Sequence, residues 1–89
     1  MIKIRPKWTP DENEKMHRWG YELMKAAFDD LVFCGNVAGS VPAGTDHVLV
    51  DADTDSVRRS IVDIWMACEG IDAQPDDVLE IEFVYGRLV

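Results

Sequence analysis

Ile2 and Ile4 alternate with Lys3 and Arg5, a period of two that predicts a strand with one apolar face. Thr9-Pro10-Asp11-Glu12 follows. A threonine with glutamate three residues later is a capping box, and proline at the first helical position already has a helical φ. A helix capped by Thr9 is therefore expected, with Asp11 and Glu12 at the positive end of its dipole. Met16, Trp19, Gly20, Leu23, Ala27 and Leu31 then share one side of it, and Glu14, Lys15, Arg18, Glu22, Lys25 and Asp29 the other. Gly20 costs about 1 kcal/mol relative to alanine in mid-helix, which predicts the close approach of another element there.

Residues 31–34 (Leu-Val-Phe-Cys) are apolar all round and end in Gly35-Asn36, which predicts a short strand; the alternative is the buried end of the helix. Residues 37–46, with Gly39, Pro42 and Gly44, read as a loop. Residues 47–51 form a third expected strand, with Val48 and Val50 on one face and His47, Leu49 and Asp51 on the other. Val57, Ile61, Ile64, Trp65 and Cys68 make the stripe of a second helix, ending in a glycine cap at Gly70. A connection over residues 71–77 leads to a last strand with Leu79, Ile81, Phe83 and Tyr85 inward.

Strand, helix, strand, strand, helix, strand is the order of the ferredoxin-like βαββαβ plan. The expected architecture is a single α+β domain over residues 1–89, with two helices on one face of a mostly antiparallel sheet. If residues 31–34 are helical, the order becomes βαβαβ with three strands. In the ferredoxin-like plan the first and last strands are antiparallel neighbours, and the charges agree: Lys3 and Arg5 would face Glu80 and Glu82.

The charge is unevenly placed. Residues 1–25 hold six Lys/Arg against four Asp/Glu (+2), residues 26–89 three against thirteen (−10), giving the net of −8. Such a field repels phosphate backbones, so direct nucleic-acid binding is not expected. With 47% hydrophobic residues and three tryptophans the chain is not of the disordered class. It holds no apolar run long enough to span a membrane, and its first residues lack the apolar block of a signal peptide. Cys34 and Cys68 lie in apolar runs and are expected to be buried, reduced thiols of a cytoplasmic protein.

Asp51, Asp53 and Asp55 are the most conspicuous candidates for chemistry. An EF-hand loop starting at Asp51 needs glycine at its sixth position and glutamate at its twelfth; Ser56 and Val62 stand there. A strand ending in Asp51-Ala52-Asp53 resembles the first motif of haloacid-dehalogenase-type phosphatases, which implies Asp51 as nucleophile and Asp53 as general acid. That resemblance covers about eight residues, and the chain departs from it: Asp55 fills the place of the usual threonine, and 89 residues leave no room for the family's large parallel sheet and later motifs. Capping of the second helix is the expected role of these aspartates.

The glycines at 35, 39 and 44 lack the lysine and Ser/Thr of a P-loop, and His17 and His47 have no ligand-spaced partners. RNA-recognition domains of this shape carry aromatics on the open sheet face, where this chain would show Lys3, Arg5, His47, Leu49, Asp51, Glu80 and Glu82. Copper chaperones of the same plan need paired cysteines in the first loop, and Trp8-Thr9-Pro10 has none. No catalytic group, metal or cofactor is expected.

The expected function is therefore protein–protein contact. Asp51, Asp53, Asp55, Asp72, Asp76, Asp77, Glu80 and Glu82 would face a basic surface on another protein, itself a nucleic-acid-binding one in the extreme case. That extreme is nucleic-acid mimicry, as in small phage-encoded inhibitors of host restriction or CRISPR systems. The alternatives are a small oligomeric enzyme or ligand-binding domain with His47 and Asp51 at a site between subunits on the exposed sheet face, and a structural or accessory subunit of a larger complex, with a viral one among the options. Apolar groups outside the stripes (Trp8, Phe28, Val32 or Phe33, Met66, Leu88 and Val89) make a homodimer a further expectation.

Overall fold

The computed structural model describes residues 1–68 and 73–84. The N-terminal alternation forms β1 (Ile2–Pro6), with Ile2, Ile4 and Pro6 buried and Lys3 and Arg5 turned to the other face. Thr9 and Glu12 do exchange their hydrogen bonds: the Thr9 N–H donates to Glu12 Oε1 (3.1 Å) and the Glu12 N–H to Thr9 Oγ1 (3.2 Å). They close a separate turn, however, and α1 (Glu14–Asp29) starts later, capped by Asn13, whose side chain accepts from the Met16 N–H at 3.2 Å. Asn13 is as good a cap as threonine, and it lies next to the apolar stripe that the helix must bury.

The expected strand over residues 31–34 is not formed. Asp30–Cys34 is a π-helical turn that extends α1, closed by the Gly35 N–H donating to the Asp30 carbonyl at 3.0 Å. Leu31 continues the buried stripe, while the Asp30 carboxylate accepts from the Ser60 hydroxyl (2.6 Å), tying this turn to the second long helix. Phe33 is 78% exposed. Asn36 takes a left-handed φ of 54° and ends the segment.

The second strand lies within the expected loop. β2 (Gly39–Ser40) pairs with β3 (Val48–Val50), Gly39 opposite Val50 and Ser40 opposite Leu49. A Cβ on Gly39 would stand 2.6 Å from the Phe28 ring and 2.7 Å from Val32, so any side chain there would have to displace them. After β3 come α2 (Thr54–Ala67), the short α3 (Pro75–Val78) and β4 (Leu79–Phe83). The glycine cap expected at Gly70 and the inward Tyr85 lie outside the described residues.

Among the described residues the molecule is a small α+β unit of three helices and a four-stranded antiparallel sheet in the order β2-β3-β1-β4. The expected β1–β4 pairing is present, with Arg5 opposite Glu80 and Lys3 opposite Glu82. The core lies on one face: Ile2, Ile4, Val48, Val50 and Leu79 from the sheet meet Leu23, Met24 and Ala27 of α1 and Val57 and Ile61 of α2. Gly20 is the close approach its position predicts. A Cβ there would lie 2.3 Å from the Val78 carbonyl oxygen, so α1 packs backbone to backbone on the end of α3, just before β4.

The cysteines depart from expectation: Cys34 and Cys68 are free but exposed. Cys34 ends the π turn, whose wider winding carries it off the buried stripe, and Cys68 is already the C-cap of α2 in extended backbone.

Candidate functional site

The triple aspartate divides by position. Asp53 caps α2: Oδ1 accepts from the Ser56 N–H at 2.7 Å and Oδ2 from the Ser56 hydroxyl at 3.1 Å. The backbone N–H of Ser56, then its hydroxyl, hold the Asp53 carboxyl below the usual carboxylate range. Asp55 sits in the first turn, on the favourable side of the dipole. Asp51 is exposed, and its N–H donates to the Ala38 carbonyl at 2.8 Å. No group of three or more His, Cys, Asp or Glu among the described residues is arranged to hold a metal ion.

The remaining acidic residues lie elsewhere. Val50 pairs with Ile2 at one end of β1, and Leu79 with Pro6 at the other. The strand ends that carry Asp51 and Asp77 are therefore about 13 Å apart along β1. Asp77 accepts from the Gln74 N–H at 2.9 Å, and Asp76 reaches Arg58 at 3.7 Å. Glu80 is ion-paired with Arg5, and Glu82 stands opposite Lys3 on the open sheet face. Asp72 lies outside the described residues. The carboxylates thus form a band broken by cations rather than one patch.

The fold also joins two residues that look unrelated in sequence. His17 and His47 line one cleft of about 200 Å³ with Arg5, Trp8, Thr9 and Asp46. His17 Nδ1 lies 2.8 Å from the Trp8 carbonyl oxygen; a carbonyl only accepts, so Nδ1 carries the proton and Nε2 remains for other contacts. The ring also stacks on Tyr21, with centroids 6.1 Å apart. Burial, then nearby Lys3, push His47 below the ordinary histidine range, which keeps it neutral at pH 7. His47 is shared with a neighbouring groove of about 220 Å³ between α1 and the β2–β3 loop, lined by Tyr21, Met24, Phe28, Val41 and Thr45. Spacing could not reveal this convergence, because it is made by the β1–β3 register: Ile4 pairs with Val48, which sets His47 beside Arg5.

Chemically, the cleft offers a neutral His47 imidazole, the Nε2 of His17 and one guanidinium already engaged with Glu80, a set suited to holding a small polar group. Comparison of the chain with family models, with curated proteins and with solved structures finds no match.

Proposed function

We propose that the chain is a small acidic, non-enzymatic binding protein that acts in the cytoplasm by meeting a basic surface on another protein. In its extreme form it is an inhibitor of phage type that mimics nucleic acid. The supporting observation is where the charge resides. The net charge is −8, and no carboxylate among the described residues is buried, so the negative excess faces solvent. Arg5 and Arg58 are already matched to Glu80 and Asp76, and Lys3 stands opposite Glu82. Asp51 and Asp55 have no such partner among the described residues and lead the acidic surface.

The framework assigned to it is a ferredoxin-like one with β2 shortened to two residues. Support comes from the adjacency of the first and last strands and from two helical crossovers that each pass over one strand. The test is a partner capture from host lysate followed by affinities at low and high salt. Steered contact predicts at least a tenfold loss between about 50 and 300 mM salt; unchanged affinity counts against the reading.

The convergence of His17 and His47 favours a second reading, a ligand-binding domain with its site at the histidine cleft. It predicts a saturable small-molecule complex that His47→Ala removes and a homodimer in sizing experiments.

A further inference from the structure

We propose that the groove between α1 and the β2–β3 loop binds a neutral, flat aromatic molecule of indole size that carries a single N–H or O–H donor. This rests on the reading of the chain as a ligand-binding domain with its site at the histidine cleft, and it extends that site past His47.

The groove, of about 220 Å³, lies on the side of β1 away from β4. One face of α1 builds its wall: Tyr21, Met24 and Phe28 follow at helical spacing, the outer two about 10 Å apart along the axis with Met24 between them. Met24 and Val48 are each 2% exposed, so the floor is the hydrophobic core itself. The walls are less covered. Tyr21 is 39% and Val41 62% exposed, and an apolar occupant would take that surface out of water. Two aromatic rings and a thioether favour a flat, polarisable one. Size agrees: an apolar cavity of about 150 Å³ holds benzene, so this groove has room for a second ring.

The polar groups choose the handle. His47 joins the groove to the histidine cleft, and its ring has no hydrogen-bond partner among the described residues. Being neutral, it offers a lone pair as well as an N–H. The Thr45 hydroxyl donates to the Pro42 carbonyl at 2.9 Å, so its oxygen has lone pairs to offer and no proton. Both line the groove as acceptors, which calls for a donor on the occupant. Charged heads are disfavoured. Lys25 and Asp29 are exposed, one turn apart, and offset each other. An anion enters against the net charge of −8. A cation finds the Tyr21 ring already taken, because Lys25 Nζ stands 5.8 Å from its centroid.

The test titrates the full chain with indole, N-methylindole, indoleacetate and tryptamine, followed by amide NMR. Indole is expected to shift the amides of residues 21–29 and 41–48 saturably. Blocking its N–H should weaken binding about fivefold, and either charged head about tenfold. Val41→Asp, at an exposed position and with its fold checked by circular dichroism, should weaken indole at least about tenfold. Equal affinity for indole and its N-methyl form, tighter binding of a charged probe, undiminished binding by Val41→Asp, or saturable shifts centred on α2 overturns the groove proposal. A set of neutral polar fragments, read at the amides of Trp8, His17 and Asp46, tests the cleft separately. Saturation there with the four aromatics silent overturns the groove and leaves the cleft reading standing; silence of both sets overturns both.

Discussion

At one edge of the sheet β2 has only Gly39 and Ser40; the Phe28 ring and Val32 crowd Gly39, and Pro42 follows two residues after β2 ends. At the other, β4 runs for five residues and alternates Leu79, Ile81 and Phe83 with Glu80 and Glu82. Among the described residues the two outermost strands are thus built by different means. The first leaves almost no backbone to pair with. The second is longer, and its Glu80 and Glu82 stand opposite Arg5 and Lys3 of β1. Crowding by shape sets the first strand, and charge matching with its neighbour sets the second.

The largest effect that tests this contrast is expected at the root of β4. In an ordinary exposed helix Gly→Ala would stabilise by about 1 kcal/mol. At Gly20 the new Cβ meets the Val78 carbonyl oxygen, so Gly20→Ala should destabilise by about 3 kcal/mol in urea unfolding. Amide protection should fall first at residues 79–83 and last in the β2–β3 pair; uniform loss would mean the two edges are not independent. Gly39→Val attacks the other edge and should cost about 2 kcal/mol, with exchange rising at residues 39–50. A neutral result would show that Phe28 swings aside and that shape does not close this edge.

A smaller effect is expected from the charge ladder. A double-mutant cycle on Arg5 and Glu80 should give about 0.5 kcal/mol at low salt and less at high salt, because the two side chains are 45% and 44% exposed. Strict additivity would remove the ladder from the explanation. The smallest effect concerns the cap of α2. Since Asp53 is held below its unfolded value, its contribution is present above about pH 4 and is lost as the pH falls through the folded value. Asp53→Asn keeps an acceptor for the Ser56 N–H but does not titrate, so its unfolding midpoint should drop less between pH 7 and pH 3 than that of the native chain.

Period-two and helical patterns revealed β1, β3, β4 and both long helices because each puts a continuous apolar face on the core. The Lys3/Arg5–Glu80/Glu82 pairing was legible for the same reason, since opposite charges on two strands can be matched by eye. Residues 31–34 were misleading: an all-apolar run has no period, so it looks alike as strand or helix, and here Leu31 alone is buried while Phe33 faces solvent. β2 was hidden because its Gly39 is crowded by Phe28, a tertiary cause that turn chemistry imitates. The aspartate cap was readable as local chemistry. The meeting of His17 and His47 was not, because only strand register creates it.

The Met1 carbonyl and the Val84 N–H are 2.9 Å apart, so β1 waits for β4, far later in the chain, to complete its ladder. A nascent or refolding chain must close a loop of 75 residues before Arg5 finds Glu80, which makes this step slow. During that interval another molecule's β4 fits β1 as well as the chain's own. Refolding at high concentration therefore favours strand-exchanged dimers, and dilution before folding favours the closed monomer.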